Sequence, residues 1–280
     1  MTRTALVLGG GGVTGVAWTI GVLHGLSAAG TDLTSADLIV GTSAGSVVGA
    51  QIAAGTHDLG ELYERQLAAP GDTAAARLGA AVLFRYARAM LTSRTPEEYA
   101  RKLGKYALAA ATVPEADRKA VLAASILTDT WPARPLSVTA VDALTGELRS
   151  FDKDSGVPVV DAVSASCAVP GVWPPVTIED RRWIDGGTHS PANAQLAAGY
   201  ERVVVIAPVG SGNGVIAAPG TQAAALTAAG ARVEVITPAA AAKKAIGRNV
   251  LDPARRAGAA RAGLAQAGTH TAAVAALWAD

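Results

Sequence analysis

Near the start of the chain, the same arrangement of apolar and small residues occurs twice. Short apolar runs at residues 4–8 and 38–40 each lead through a glycine-containing loop into a longer apolar stretch, at residues 16–29 and 46–54. Short β-rich runs are typical of buried strands, and longer apolar stretches that stop at a glycine are typical of buried helices. The pattern therefore predicts two consecutive units of strand, loop and helix.

The middle of the chain has no convincing strand pattern. Four helical stretches are predicted instead, at residues 58–68, 75–91, 96–108 and 114–127. Such a run of helices between strand-containing parts of a chain predicts a helical insertion or cap over residues 58–127.

Strand character returns in the second half of the chain. Runs at 136–141 and 148–151 predict a hairpin, further strands are predicted at 183–184, 203–207 and 233–236, and Ala-rich helices at 239–245 and 253–278. Strands that alternate with helices predict an α/β fold with a mostly parallel sheet covered on both faces. We find no linker-like segment and expect a single domain over residues 1–280, with residues 199–280 adding C-terminal strands and helices.

Composition narrows the class of protein. With 50% hydrophobic and 17% charged residues, the chain is too apolar for intrinsic disorder. Its net charge of +1 argues against a nucleic-acid partner, because such proteins usually present a basic surface. The single cysteine, Cys167, cannot form an intrachain disulfide, so we expect a cytoplasmic protein with a buried structural thiol. Two long uncharged stretches, 4–31 and 38–57, are too rich in glycine for a lipid-exposed span, and the apolar run at 5–8 is too short for a signal peptide.

A serine lies at the junction of the second predicted strand and helix. The sequence Gly41-Thr42-Ser43-Ala44-Gly45 has the form G-x-S-x-G, which is typical of a nucleophile elbow. The small neighbours allow a sharp turn, and the helix that follows points its N-terminal N–H groups at a nascent oxyanion. The alternative is a small-residue turn that only lets a helix pack closely on the sheet.

The glycines at residues 9–12 allow two interpretations. Gly10, Gly12 and Gly15 satisfy G-x-G-x-x-G after a strand and before a helix, the pattern of a dinucleotide site. Such a site needs an acidic residue at the end of the second strand, whereas Asp37 precedes that strand. The same N–H groups are suited to stabilising the oxyanion of a tetrahedral intermediate.

A serine nucleophile needs a base, and two kinds are available. His189 or His270 would complete a Ser-Asp-His order with Ser43 and Asp185, but neither histidine lies in a persuasive context. Asp185 follows an apolar pair and begins Asp-Gly-Gly, so we expect it at a strand end where glycines permit close approach.

Taken together, the tetraglycine at 9–12, the G-x-S-x-G at 41–45 and the Asp-Gly-Gly at 185–187 resemble the patatin-like phospholipase family. A fourth segment, residues 165–175 (ASCAVPGVWPP), is similar to the family's A-S-x-A-x-P-x-x-F/W-P-P stretch. The resemblance covers residues 5–198.

This resemblance implies a three-layer sandwich with a mostly parallel central sheet, and a serine acyl hydrolase acting on lipid esters. It implies a dyad in which Ser43 attacks the carbonyl and Asp185 acts as base and then acid. The oxyanion hole would be formed by Gly10, Gly11 and Gly12, and no metal or cofactor is implied.

Two positions depart from the family pattern. Thr14 stands where an Arg or Lys is common, which leaves simple esters and acylglycerols more open as substrates than phospholipids. Residues 190–193 (SPAN) stand where Asn-x-Pro is common, so the loop that supports Asp185 is expected to differ.

The segment from Arg77 to Lys105 carries seven basic residues against Glu97 and Glu98. A helix at 75–91 with Arg77, Arg85 and Arg88 on one side could lie on an anionic membrane, although a solvated cap helix is the simpler interpretation. Three alternatives stay open for the function: a nucleotide-dependent oxidoreductase, a triad hydrolase that uses a histidine, and a non-catalytic lipid-binding protein.

Overall fold

The computed structural model describes residues 2–69 and 76–279. Within them, eight strands form one sheet: β1 (Thr4–Leu8), β2 (Leu38–Thr42), β3 (Leu136–Asp142), β4 (Leu148–Phe151), β5 (Val176–Ile178), β6 (Arg181–Asp185), β7 (Arg202–Ile206) and β8 (Arg232–Ile236). Their spatial order is β5, β6, β3, β2, β1, β7, β8, and β4 also pairs with β3. The pairs that join β3, β2, β1, β7 and β8 are parallel, and β4, β5 and β6 are antiparallel to their neighbours.

The α-helices of the described residues lie between these strands in the sequence and after the last of them. They are α1 (Gly12–Ala28), α2 (Ala44–Ala54), α3 (Leu59–Leu67), α4 (Ala80–Thr92), α5 (Pro96–Ala109), α6 (Glu115–Ile126), α7 (Val159–Ser166), α8 (Pro219–Ala228), α9 (Ala240–Ile246), α10 (Arg256–Ala267) and α11 (Thr271–Trp278). Helices α3 to α6 all fall within residues 58–127, where only helices were expected.

Both faces of the sheet are buried, as the alternation along β1 illustrates. Leu6 and Leu8 belong to the larger apolar cluster, which includes Trp18 of α1. Ala5 and Val7 point the other way, into a second cluster with Leu226 of α8. Because successive side chains of a strand point to opposite faces, helices cover the sheet on two sides. The predicted α/β fold with a mostly parallel central sheet is confirmed.

Helix α1 accounts for the long uncharged stretch near the N-terminus. It crosses α10 so closely that a Cβ at Gly21 would clash with the Ala260 carbonyl, and one at Gly25 would lie 2.5 Å from the Ala267 Cβ. The apolar stretch is therefore buried between the sheet and another helix. Among the helices of the described residues, none is long and apolar enough to cross a membrane.

The register of β3 brings two distant strand ends together. Thr42, the last residue of β2, pairs with Thr139 of β3, while Asp185, the last residue of β6, pairs with Ala140. The ends of β2 and β6 therefore meet at consecutive residues of β3. This is the point of the sheet at which both the G-x-S-x-G turn and the Asp-Gly-Gly turn begin.

Several elements differ from the sequence-based expectation. The expected helix at 75–91 begins at Ala80, so Arg77 precedes it, and residue 75 lies outside the described residues. The expected C-terminal helix at 253–278 is two helices, α10 and α11, separated by Gly268, Thr269 and His270. Strand β5 and helix α7 were not predicted, because three residues and eight residues are too short for a clear periodicity.

Candidate active site

Ser43 lies in a strained turn between β2 and α2. Its φ of 52° and ψ of −118° place a non-glycine residue in a backbone region that is rarely populated. The flanking glycines make the turn possible: a Cβ at Gly41 would lie 2.5 Å from the Ser46 Cα, and one at Gly45 would clash with the Leu8 carbonyl. The turn has the backbone geometry of a nucleophile elbow.

The Ser43 hydroxyl is hydrogen-bonded to the Asp185 carboxylate. Ser43 Oγ donates to Asp185 Oδ2 at 2.7 Å, and both residues are buried. The other carboxylate oxygen accepts from the Gly187 N–H at 2.7 Å. The two side chains that the sequence singled out, 142 positions apart, therefore make direct contact.

The surroundings of Asp185 raise its proton affinity. Burial raises the pKa of Asp185 to about 6, although the hydrogen bonds from Ser43 and Gly187 act in the opposite direction by stabilising the charged form. A carboxyl group with a pKa in this range can both accept and return a proton near neutral pH. The geometry and the pKa together suit Asp185 to the role of a base.

Ser166 supports the backbone of the elbow. Its hydroxyl accepts from the Ser43 N–H at 2.8 Å, and the residue is fully buried at the end of α7. The Ser43 N–H lies at the junction of β2 and α2, and the Ser166 side chain supplies the acceptor that this buried donor needs. The role of Ser166 was not predicted, although the residue lies in the quoted segment 165–175.

Asn193 connects the loops on both sides of the site. Its side-chain N–H group donates to the Thr42 hydroxyl at 3.1 Å and to the Gly186 carbonyl at 3.2 Å. The residue is fully buried and adopts a left-handed φ of 54°, which asparagine tolerates better than most residues. The segment that departs from the family pattern, residues 190–193, thus supplies a buried amide beneath the Asp185 turn. This role was also missed from the sequence.

The glycine-rich loop passes directly beside the serine. A Cβ at Gly10 would lie 3.4 Å from the Ser43 Cβ, and the Gly10 N–H donates to the Pro191 carbonyl at 2.8 Å. The N–H groups of Gly11 and Gly12 have no acceptor among the described residues. Of the three glycines expected to bind an oxyanion, Gly11 and Gly12 therefore have N–H groups that no described residue occupies, whereas the N–H group of Gly10 is occupied.

The start of α1 is closed by other parts of the chain. Val250 O accepts from both the Thr14 N–H and the Thr14 hydroxyl, and Thr14 is fully buried. A Cβ at Gly11 would lie 2.5 Å from the Pro208 Cβ. At the helix N-terminus that a pyrophosphate would need, the Thr14 N–H is thus already bonded, and Pro208 packs against Gly11. Asp37 is also engaged elsewhere, since it accepts from Thr4 N and Thr4 Oγ1.

Both candidate histidines bond to other groups. His189 Nδ1 is 2.9 Å from Asn193 Oδ1, and His270 Nδ1 is 3.0 Å from Glu234 Oε1 on β8. Strand β8 lies at the edge of the sheet, three strands from β2. The geometry therefore gives Ser43 a carboxylate partner in place of an imidazole.

Two cavities open on Ser43. The larger, of about 750 Å³, extends between α2 and α6 and is mainly apolar. The smaller, of about 310 Å³, is lined by Asp185, the glycine-rich loop and two tyrosines, Tyr86 and Tyr99. Both sizes are within or near the range of ligand sites in proteins. The acyl and alcohol parts of an ester substrate could therefore occupy separate cavities on the two sides of Ser43.

Cys167 is a buried neighbour of the elbow. Its Sγ lies 3.8 Å from Ser46 Oγ, and burial raises the pKa of the Cys167 thiol to about 12. A thiol that stays protonated is a poor nucleophile. In the described residues, His, Cys, Asp and Glu side chains form no group of three suited to a metal ion.

The fold and the site define a three-layer α/β protein with a nucleophile elbow and a buried carboxylate. A family model described as patatin-like phospholipase matches residues 6–198. The chain belongs to the patatin-like phospholipase family.

The chain is similar to curated relatives and to two solved structures. Uncharacterized NTE family proteins of Mycobacterium bovis and Mycobacterium tuberculosis are 31% identical over 209 residues, which are 73% of this chain and 48% of theirs. The chain thus spans about half the length of these relatives. VipD of Legionella pneumophila aligns with 97% of this chain and 67% of its own (13% identity, TM-score 0.47). The type III effector ExoU aligns with 98% and 53% (17% identity, TM-score 0.42).

Proposed function

We propose that this protein hydrolyses carboxylic esters of lipids, namely phospholipids, lysophospholipids or acylglycerols, with Ser43 as nucleophile and Asp185 as general base. Membership of a family of lipid acyl hydrolases supports the reaction class. The observation that carries the assignment is the 2.7 Å hydrogen bond from Ser43 Oγ to Asp185 Oδ2 at a strained elbow. A cytoplasmic location stays a prediction from composition.

In the proposed reaction, Ser43 Oγ attacks the ester carbonyl carbon while its proton passes to Asp185 Oδ2. The carbonyl electron pair moves to the oxygen and returns when the bond to the alcohol oxygen breaks. Asp185 gives its proton to the departing alcohol, which leaves an acyl ester on Ser43. Water then attacks the acyl ester by the same route, with Asp185 again as base and then acid, and releases the carboxylic acid.

The glycine-rich loop is proposed to stabilise the oxyanion. The N–H groups of Gly11 and Gly12, which have no acceptor among residues 2–69 and 76–279, are the available donors. Gly10 has a different role in this proposal, because its own N–H is bonded to Pro191. A Cβ there would stand 3.4 Å from the Ser43 Cβ, so a glycine leaves space beside the hydroxyl for the substrate carbonyl.

The test of this proposal is hydrolysis of p-nitrophenyl butyrate and of dioctanoylphosphatidylcholine by purified variants. Ser43→Ala and Asp185→Asn are each expected to lower kcat by about a thousandfold or more, as is usual when a nucleophile or its base is removed. Asp180→Asn is the matched control, because Asp180 is an exposed residue of the β5–β6 turn. Full activity of Asp185→Asn would overturn the assignment of the base.

Helix α4 is proposed to seat the protein on an anionic lipid surface. Its inner face carries Tyr86, which lines the smaller cavity and whose pKa is raised by burial and by Asp185. Its outer face exposes Leu83 by 54%, Phe84 by 65%, and Leu91 by 79% at the helix end. Large exposed apolar side chains in one helix mark an interaction surface, and Arg85, exposed between them, complements a negative membrane.

Sedimentation with vesicles tests the surface. Leu83→Ser with Phe84→Ser is expected to weaken binding to phosphatidylglycerol-containing vesicles by at least about tenfold, while hydrolysis of soluble p-nitrophenyl butyrate is unchanged. Leu144→Ser, at a residue that is 61% exposed in a hairpin turn, is the control. Unchanged vesicle binding would refute the membrane assignment. If the native protein is a dimer and the double variant is a monomer, the exposed face of α4 binds a second copy of the chain instead.

A further inference from the structure

The larger cavity beside Ser43 contains an unpaired guanidinium. Arg118, on α6, lines this cavity and is partly buried, and its side chain has no ion pair or hydrogen bond with the described residues, 2–69 and 76–279. Its Nε is fully buried and has no hydrogen-bond partner within the described part of the chain. Buried charged groups are normally paired, because an unpaired charge loses hydration without compensation. Within the described residues, no group of the protein neutralises the Arg118 charge, so a bound anionic ligand could do so.

The guanidinium is held in position by an aromatic ring. The Arg118 guanidinium carbon lies 3.9 Å from the centroid of the Trp173 ring, which also lines the cavity. Stacking fixes the plane of the guanidinium and leaves its edge free to donate two parallel hydrogen bonds. Trp173 belongs to segment 165–175, whose Ser166 holds the Ser43 N–H. One segment therefore supports both the nucleophile and the arginine.

Among the described residues that line the cavity, basic side chains outnumber acidic ones. Arg65 and Arg256 line it together with Arg118, and Asp117 is the one carboxylate among the described lining residues. Arg65 bonds to His57 and Arg256 bonds to the Arg65 carbonyl, and neither guanidinium pairs with a carboxylate of residues 2–69 or 76–279 in the cavity. Burial lowers the pKa of Arg118, which reflects the cost of holding this cation away from water.

We infer that Arg118, stacked on Trp173, binds an oxyanion group of the substrate, a phosphate diester or a carboxylate, in the larger cavity beside Ser43. The inference rests on the proposed function and names the substrate class: lipid esters that carry a negative charge near the scissile bond. Thr14 cannot serve in this way, because its side chain is buried against Val250. In this protein, Arg118 of the helical insertion supplies the positive charge that an Arg or Lys at the position of Thr14 would otherwise provide.

The experiment compares lipids that share acyl chains and differ in charge. Dioctanoylglycerol is neutral, dioctanoylphosphatidylglycerol carries an anionic phosphate diester, and the succinate monoester of dioctanoylglycerol carries a carboxylate. Arg118→Gln is expected to lower kcat/KM for one or both charged lipids by roughly tenfold or more, as for loss of a charge-assisted hydrogen bond, mainly through KM. The value for dioctanoylglycerol is expected to change less than threefold, about the scatter of a surface substitution. The charged lipid whose kcat/KM falls more in Arg118→Gln shows whether Arg118 binds a phosphate diester or a carboxylate.

Two variants separate recognition from folding. Arg118→Lys retains the charge and is expected to recover part of the preference. Arg149→Gln is the matched control, because Arg149 stacks on the Phe151 ring at 4.5 Å but pairs with Glu179 outside the cavity. An equal loss for all three lipids in Arg118→Gln, or no loss for any of them, would overturn the inference.

Binding to the Ser43→Ala variant gives a readout that does not depend on hydrolysis. Calorimetry in this background is expected to show roughly tenfold weaker binding of a charged lipid when Arg118→Gln is added, with dioctanoylglycerol unaffected. If the native enzyme hydrolyses none of the lipids but this difference is present, the proposed function fails and the anion site stands. If hydrolysis is present but the difference is absent, the anion site fails alone.

Discussion

The pH dependence of hydrolysis follows directly from the environment of Asp185. Burial raises the pKa of this carboxyl from 3.8 to about 6. In the proposed mechanism only the ionised form accepts the Ser43 proton, so activity requires pH values above this pKa. For a single group, about half of the molecules carry the base at pH 6 and about a tenth at pH 5. We expect kcat/KM to fall about tenfold per pH unit below pH 6 and to level off above pH 7.

The assay is the initial rate of p-nitrophenyl butyrate hydrolysis from pH 4.5 to 8.5 at subsaturating substrate. A histidine has an ordinary pKa of about 6.5, so the midpoint alone does not identify the group. His189 is the histidine that bonds within the Asp185 loop, through Asn193. His189→Gln is therefore the decisive control and is expected to keep the same acid limb. A flat profile, a midpoint near 4, or loss of the limb in His189→Gln would refute the reasoning.

Three further predictions concern stability. The pKa of Asp185 is higher in the folded than in the unfolded protein, so its ionisation destabilises the fold as the pH rises from 3.8 through 6. Asp185→Asn removes this ionisation and is expected to raise the free energy of unfolding by about 1–3 kcal/mol at pH 8, with no gain at pH 3.5. Urea denaturation at the two pH values measures the difference. Asn193→Ala removes the buried amide that bonds to the Thr42 hydroxyl and the Gly186 carbonyl and is expected to cost about 1–3 kcal/mol and most of the activity, whereas a change below about 0.5 kcal/mol would contradict the network. Gly11→Ala places a Cβ 2.5 Å from the Pro208 Cβ and is expected to cost about 1–3 kcal/mol in thermal unfolding, with unchanged stability as the opposing result.

The strand, elbow and helix near the N-terminus were predictable because local chemistry dictates them. Strand β2 is apolar and buried, and Gly41 and Gly45 are required by contacts within a few residues or with the adjacent strand. Asp185 was a candidate for a similar reason, since a carboxyl followed by two glycines at the end of an apolar run signals a strand end. These features depend on short stretches of sequence.

The contacts that complete the site depend on register and could not be predicted locally. Ser43 meets Asp185 because Thr42 and Asp185 pair with consecutive residues of β3. The role of Ser166 depends on where an unpredicted helix, α7, ends. The occupied N–H of Gly10 depends on Pro191, which is 181 positions away.

Helix α4 has two apolar faces, of which the periodicity of the sequence identifies only one. Val82, Tyr86 and Met90 recur every four residues, as an inward-facing apolar stripe does, and all three are at least partly buried in the structure. The same helix also carries Leu83, Phe84 and Leu91 on its exposed side. Periodicity identifies one apolar face, but only the packing reveals that another apolar face has no partner among the described residues.

The most direct test of the Ser43 and Asp185 pair is the rate at which a fluorophosphonate modifies the protein, followed by mass spectrometry of the labelled peptide. Phosphonylation requires a deprotonated serine but no lipid recognition, so it isolates the proton transfer. We predict modification of Ser43 in the native protein and a rate at least about a hundredfold lower in Asp185→Asn. Labelling of another residue, or an unchanged rate in Asp185→Asn, would contradict the account.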